Sequence, residues 1–102
     1  MQLIANKIKL DLNRSRFQED LFNLEKLAQR ALFNSLKKIT QLYWEELYKD
    51  KGLRWELIAS NSNPEDKLYS FRFSKKYRAT GYREGNYLVL LRLYADHDST
   101  YM

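Results

Sequence analysis

The sequence predicts a single α+β domain, with a helical hairpin packed on one face of a small twisted, largely antiparallel sheet in the order β-α-α-β-β-β. Three observations predict this fold class. An alternating segment opens the chain, a region with helical apolar spacing follows, and short alternating segments divided by turn residues fill the second half. A length of 102 residues suits one compact domain, so we assign residues 1–102 to it.

The first half predicts one strand and a helical region. Residues 3–12 form the strand, because residues 8–12 (IKLDL) alternate apolar and polar side chains. Apolar residues then recur every three or four positions, either on two helices or on one helix broken near residues 24–27. A short third helical segment around residues 44–48 ends before Gly52, which we expect to be its C′ glycine. The helical apolar positions are Phe17, Leu21, Leu24, Ala28, Leu32, Leu36, Ile39, Tyr43 and Leu47.

The second half predicts four strands. Residues 53–59 and 77–82 form two of them, and a third contains the alternating Tyr69, Phe71 and Phe73. Residues 60–66 (SNSNPED) form a loop, and residues 83–86 form a turn in which Gly85 suits a positive φ. The most apolar strand, residues 87–94 (YLVLLRLY), should be central in the sheet. Counting from Leu88, every second residue of this strand should lie on the same face of the sheet.

Composition excludes several classes of function. The chain has no cysteine and one histidine, His97, which excludes disulfide scaffolds, Cys-ligated zinc, thiol nucleophiles and multi-histidine metal sites. We therefore predict no metal and no cofactor. No apolar run approaches the ~18–20 residues of a membrane span, and residues 1–10 do not resemble a secretory signal. A cytoplasmic protein without a membrane partner is the expectation.

Positive charge is concentrated in the second half. The formal net charge is +5, yet residues 67–92 alone carry seven basic residues and one acidic residue, Glu84. Aromatic residues are interleaved with these charges. Basic residues mixed with aromatic ones are typical of a surface that binds phosphates and stacks bases.

Three of these arginines are candidate phosphate ligands. If Phe71 and Phe73 face the helices, Arg72 faces the other side of the sheet. One register of the strands brings Arg72, Arg78 and Arg92 together there, where they could bind phosphates bidentately. Lys75 and Lys76 lie at a predicted turn and could contact phosphate at the edge of a cleft. The alternative for all five is an ordinary solvated surface.

The C-terminal segment carries the candidate proton-transfer groups. His97 precedes Tyr101 by four residues. A histidine gives and takes protons near neutral pH, and a tyrosine can stack on a base or take part in proton transfer. Asp98 could orient the imidazole. The alternative is a structural or simply exposed histidine.

Several segments together resemble the RelE/ParE superfamily of toxins from bacterial type II toxin–antitoxin systems. The resemblance covers roughly residues 7–101 and depends on the order of its motifs more than on any one of them. The motifs are residues 17–21 (FQEDL) with Leu24, residues 29–33 (QRALF) with Leu36, residues 68–79 (LYSFRFSKKYRA), residues 82–85 (YREG) and residues 90–101 (LLRLYADHDSTY).

The resemblance implies a toxin whose activity is inhibited by a cognate antitoxin. It also implies the same arrangement of β and α layers as the patterns above predict. The RelE-like branch cleaves mRNA in the ribosomal A site, and there the arginine of the Tyr-Arg motif, here Arg78, contacts the scissile phosphate. Some RelE-like toxins have a histidine near a C-terminal aromatic residue, as His97 and Tyr101 do here. The best-known RelE pattern has an arginine where this chain has Ala95, so Arg92 or His97 would have to substitute.

These observations favour a metal-independent, ribosome-dependent mRNA endonuclease. In this hypothesis Arg78, His97 and Tyr101 are catalytic, and Arg72, Lys75, Lys76 and Arg92 bind substrate phosphates. Its partners are an antitoxin and mRNA on the ribosome. A ParE-like, non-enzymatic poison of DNA gyrase and an inactive basic nucleic-acid-binding protein are the alternatives. We expect exposed apolar residues of the second helix, such as Phe33, to bind the antitoxin, and residues 43–56 have no assigned role.

Overall fold

A computed structural model describes residues 6–59 and 67–95 of the chain. Three helices pack against a five-stranded mixed sheet, which is the α+β domain that the sequence predicts. No helix in this part of the chain is long and apolar enough to cross a membrane. The elements are β1 (Lys9–Asp11), α1 (Ser15–Asn23), α2 (Lys26–Ile39), α3 (Trp44–Lys49), β2 (Glu56–Ala59), β3 (Leu68–Arg72), β4 (Tyr77–Glu84) and β5 (Tyr87–Ala95).

The strands lie in the order β1-β5-β4-β3-β2. β1 runs parallel to β5, and every other neighbouring pair is antiparallel, as predicted. β5 is an internal strand, but the middle position belongs to β4, which is less apolar. β4 can hold that position because its polar residues Arg78 and Thr80 are themselves buried at 7% and 9% exposure.

The helical region breaks into two helices within the predicted interval. α1 ends with Leu24 in an extended conformation, and α2 begins two residues later at Lys26. The Gln29 side-chain amide donates to the Leu21 carbonyl at 2.8 Å and so joins the two helices across the break. The apolar stripe then buries Phe17 from α1 and Leu32, Leu36 and Ile39 from α2 in the core.

A bulge in β5 overturns the predicted alternation along this strand. Gly81 pairs with Leu90 and Thr80 pairs with Arg92, so Leu91 is an extra residue in β5. An extra residue shifts the facing of all later side chains by one position. Consequently Leu88, Leu90 and Leu93 all belong to the core, although the simple period of two placed Leu93 opposite the other two.

Predicted element ends are wrong at several places. β2 begins at Glu56 and not at residue 53, and β4 continues through Arg83 and Glu84, which were predicted to belong to the turn. β1 is shorter than predicted, since the Ile8 N–H bonds the Leu42 carbonyl and pairing with β5 covers only Lys9–Asp11. Gly52 is not the C′ residue of α3, because the helix is capped at Asp50, whose carboxylate accepts the Leu53 N–H at 2.9 Å. Gly85 has the expected positive φ, at 61°. The predicted loop at 60–66 lies outside the described residues.

One edge of β5 is covered by a helix instead of a strand. β1 pairs with Tyr87–Val89 alone. Beyond that point α1 lies against β5, and the Asp20 carboxylate accepts the Leu93 N–H at 2.9 Å. A side chain of α1 thus satisfies a backbone donor that would otherwise bond a neighbouring strand.

Candidate functional site

The strand register places three predicted phosphate ligands on one face of the sheet. Arg72 lies directly opposite Arg78, and Arg92 lies opposite Thr80, the next residue of β4 on the same face. Their strand neighbours Phe71, Ala79 and Leu93 point into the core, so the arginines point away from the helices. We call Arg72, Arg78 and Arg92 the arginine face.

Arg78 is the most enclosed member of the arginine face, at 7% exposure. Its guanidinium donates to the fully buried Ser70 hydroxyl at 2.7 and 3.2 Å and to the Arg54 carbonyl at 3.2 Å. It also forms an ion pair with Glu56 at 3.2 Å. The Glu56 side chain is 60% exposed, so the counter-ion of this buried cation lies where solvent or a ligand can reach it.

Arg92 is held by a carboxylate of α1. Its Nε donates to Asp20 Oδ2 at 2.8 Å, and the same oxygen accepts the Leu93 N–H. Partial burial would raise the pKa of Asp20, but the hydrogen bonds from Arg92 and Leu93 outweigh it and hold this pKa below its ordinary value. The hydrogen bond that Arg92 donates to Asp20 correspondingly raises the pKa of Arg92.

Arg72 and Lys75 line an open pocket of about 410 Å³ between α2 and the segment that joins β3 to β4. Lys38 of α2 adds a third cation, and Asn34, Ser35 and Ser74 add amide and hydroxyl groups; the remaining lining residues are Gly52, Leu53 and Phe73. Of the residues that the structure describes, no carboxylate lines it, but Asp50 lies beside it and pairs with Lys38 at 3.0 Å. This basic pocket has the charge and hydrogen-bonding groups to hold an anion such as phosphate.

A local turn presents the two predicted lysines. The Ser74 hydroxyl accepts the N–H groups of Lys76 and Tyr77 at 3.2 and 3.1 Å, which fixes the backbone between β3 and β4. Both lysine side chains are exposed. Lys75 lines the basic pocket, whereas Lys76 lies outside it, in a neighbouring pocket of about 280 Å³ between this turn and the start of α2.

Sequence reasoning missed three charged residues of this region. Lys38 joins the basic pocket, although it is one of many basic residues on the helices. Asp20 and Glu56 are the counter-ions of Arg92 and Arg78, at separations of 72 and 22 residues along the chain. No signal in the sequence pairs these groups, because each contact depends on the tertiary arrangement of the elements.

The predicted proton-transfer residues, His97 and Tyr101, lie outside the described residues. Their catalytic roles remain predictions. Within the described ranges, no group of three or more histidine, cysteine, aspartate or glutamate side chains could hold a metal ion.

Comparison with known proteins bears on the fold. No protein-family model matches the sequence, and no curated protein matches it. A chain of the archaeal RelE–RelB complex from Pyrococcus horikoshii OT3 matches with a TM-score of 0.59 and 15% identity, over 90% of this chain and 96% of that one. A copper-bound mutant toxin from Helicobacter pylori matches with a TM-score of 0.52 and 18% identity, over 93% and 99%. The chain therefore has the RelE-like toxin fold.

Proposed function

We propose that the chain is the toxin of a type II toxin–antitoxin system and cleaves mRNA on the ribosome as a metal-independent endoribonuclease. The single observation that carries the proposal is the arginine face on a sheet of RelE-like fold. Arg72 belongs both to this face and to the basic pocket beside it. In this proposal Arg72 connects the two, and successive phosphates of one RNA strand bind at the face and in the pocket. Because its substrate is on the ribosome, we place the protein in the cytoplasm.

The proposed reaction needs a base, an acid and cations. The 2′-hydroxyl of the substrate attacks the adjacent phosphorus, which forms a bond to the 2′-oxygen and breaks the bond to the 5′-oxygen. The base takes the 2′-hydroxyl proton, the acid protonates the leaving 5′-oxygen, and cations stabilise the extra negative charge on the phosphate. We assign proton transfer to His97 with Tyr101, and charge stabilisation to Arg78.

The enclosure of Arg78 is compatible with this role. A buried guanidinium held by Ser70 and the Arg54 carbonyl is already oriented, so substrate binding need not order it. Its exposed counter-ion, Glu56, is the group that a phosphate would replace. Arg72, Lys75 and Lys76 bind flanking phosphates in this scheme, and Arg92 bound to Asp20 marks the other side of the face.

The antitoxin partner is part of the same proposal. Phe22, Leu27 and Phe33 of the helical hairpin are 76%, 78% and 54% exposed. Large apolar side chains this exposed are typical of a surface that a partner covers. We propose that the antitoxin binds over the hairpin, and co-purification with the protein encoded beside this gene tests it. An absence of any complex would contradict the toxin–antitoxin assignment.

The test of function is cell-free translation with the purified chain, followed by primer extension to locate mRNA ends. We expect cuts at fixed positions in translated mRNA and intact RNA in the absence of ribosomes. General acid–base catalysis contributes ~10²–10⁴-fold, so His97→Ala should slow cleavage by at least a hundredfold. Circular dichroism of the variant, unchanged from the parent, is the folding control.

Two results would contradict the proposal. Intact mRNA with normal protein synthesis would exclude the nuclease, and a gyrase supercoiling assay would then test the ParE-like alternative. Cleavage by folded His97→Ala at the parent rate would remove His97 from the mechanism. Binding of RNA and DNA alike, without turnover and with strong salt dependence, would instead indicate the inactive nucleic-acid-binding alternative.

A further inference from the structure

A second pocket lies on the helix-facing side of the sheet, in the segment at 43–56 that the sequence left without a role. It has a volume of about 200 Å³ and is lined by the aromatic residues Tyr43, Trp44 and Tyr48 together with Arg83. Arg83 pairs with the core residue Leu88, so it points away from the arginine face. We call this the aromatic pocket.

The wall of the aromatic pocket is part of a continuous stack of rings. Trp44 contacts Tyr48 and Trp55, with centroids 5.6 and 5.9 Å apart. Trp55 in turn stacks on Tyr69 and Phe71 of β3, at 5.0 and 5.9 Å. Packing on both sides restricts these rings, so a ligand that stacks against them meets a surface that is already ordered.

Arg83 has different partners from those of the arginine face. Its guanidinium carbon lies 4.7 Å from the centre of the Trp44 ring, and its side chain donates to the Gly85 carbonyl at 2.9 Å and the Tyr48 hydroxyl at 3.3 Å. Among residues 6–59 and 67–95, no carboxylate oxygen lies within 4.0 Å of its side-chain nitrogens. Within the described part of the chain Arg83 therefore has no ion-pair partner, and it presents a flat cation on an exposed surface.

The rim of the pocket supplies groups that match base edges. Asn86 donates its amide N–H to the Lys7 carbonyl, which fixes the orientation of its side chain. Glu45 offers a carboxylate, the acceptor that suits an exocyclic amino group. Tyr43 and Tyr48 are 37% and 41% exposed, so part of each ring is accessible to a planar ligand. Lys7 Nζ already lies 5.9 Å from the centre of the Tyr43 ring.

We infer that the aromatic pocket binds one base of single-stranded RNA, stacked on the exposed tyrosine rings and the Arg83 guanidinium. Aromatic rings beside a flat cation, with an amide and a carboxylate at the rim, are the groups that recognise an unstacked base. The inference rests on the proposed function only in taking RNA as the ligand. It places a base contact on the opposite face of the sheet from the phosphates at the arginine face.

The test measures binding without cleavage. A 2′-O-methylated RNA tetranucleotide cannot react at its 2′-oxygens, and fluorescence anisotropy of a labelled copy reports its affinity. The same oligomer with all four positions abasic keeps every phosphate and removes every base, so no other base can take the place of the missing one. We expect the parent protein to bind the complete oligomer about tenfold more tightly than the abasic one.

Variants at Arg83 separate stacking from charge. Arg83→Lys keeps the charge but loses the flat guanidinium, so we expect the preference for the complete oligomer to fall about threefold to tenfold while abasic binding is retained. Arg83→Ala should weaken binding of both oligomers. Arg30→Ala, on the exposed side of α2, removes an equal charge elsewhere and should leave the preference unchanged.

Three results would overturn the inference. Equal affinity of the parent for the two oligomers would show that phosphates alone are bound. An unchanged preference in Arg83→Lys would place the base elsewhere. Loss of antitoxin binding in Arg83→Lys, with oligomer binding unaffected, would assign the pocket to a protein partner. Because the oligomer cannot be cleaved, a protein without nuclease activity would still give a positive binding result, so the two proposals fail separately.

Discussion

Arg78 and Arg83 stand five residues apart on β4 and face opposite sides of the sheet. Arg78 is buried, bonded to Ser70 and the Arg54 carbonyl, and paired with Glu56. Arg83 is exposed and lies over the Trp44 ring, with no carboxylate partner among the described residues. The difference shows that one strand can use the same side chain in two ways. The Arg78 guanidinium makes buried hydrogen bonds and therefore also stabilises the fold. The Arg83 guanidinium lies on an aromatic ring at the surface and therefore remains available to a ligand.

Truncating each arginine should separate these two uses most clearly. Arg78→Ala removes the partner of the fully buried Ser70 hydroxyl and should lower the free energy of unfolding by about 3 kcal/mol. Arg83→Ala should lower it by less than about 1 kcal/mol, because the side chain is exposed. Urea unfolding of both variants measures the difference. Equal losses would contradict the comparison.

The backbone between the two arginines is the next place to test. A Cβ atom at Gly81 would lie 2.5 Å from the Val89 carbonyl oxygen of β5. Gly81→Ala must therefore push β4 and β5 apart, and we expect a loss of about 2 kcal/mol. Gly52→Ala is the control, because its nearest atoms at 3.3 Å are ends of the Asp50 and Lys38 side chains, which can move. Thermal unfolding in which Gly81→Ala matched Gly52→Ala would show that the strands adjust.

The pairing of Arg92 with Asp20 predicts a dependence of stability on pH. The pKa of Asp20 is lower in the folded state than its ordinary value, so folding is favoured when this group is ionised. This stabilisation is complete above the unfolded pKa and is lost as the pH falls through the folded pKa. We expect Asp20→Asn to lower stability at pH 7 by about 1 kcal/mol and to flatten its fall below about pH 4. Urea unfolding at a series of pH values measures this, and parallel curves for parent and variant would contradict it.

Removing the counter-ion of Arg78 should leave this arginine, like Arg83, without a carboxylate partner among the described residues. Glu56→Gln keeps the shape of the side chain at 60% exposure but deletes its charge. We expect RNA affinity to rise about threefold and the salt slope to steepen by up to about one unit, because Glu56 no longer competes with phosphate. Glu19→Gln, at an exposed position of α1, is the control with an equal change in charge. If both variants bind RNA with the same affinity, the change in net charge explains the effect and the pairing of Glu56 with Arg78 does not.

The sequence predicted the layers of the fold because local patterns determine them. The apolar spacing from Phe17 to Ile39 indicated the helices, and the alternation of Tyr69, Phe71 and Phe73 indicated which side of β3 faces them. The bulge at Leu91 could not be recognised in the sequence, because an extra apolar residue does not change the composition of an apolar strand. Facing along β5 could therefore not be derived from a period of two.

The candidate site was predictable in its residue types but not in its electrostatics. The sequence indicated that Arg72, Arg78 and Arg92 could share a face, and the register places them there. It gave no sign that Glu56 and Asp20 would pair with two of them, because both pairings join residues distant along the chain. The role of Arg83 was missed for the same reason, since its ring partner lies on α3.

The pairing of β1 with β5 constrains the order in which the chain can fold during synthesis. Lys9 pairs with Tyr87, so β1 has no partner among the described strands until β5 has been made. The helical hairpin and the β3–β4 ladder depend on closer residues and can form earlier. A ribosome that stalls before residue 87 would leave a chain without β5, and such a chain cannot present the complete arginine face. Folding to the proposed active form is thus coupled to translation through the end of β5 at Ala95.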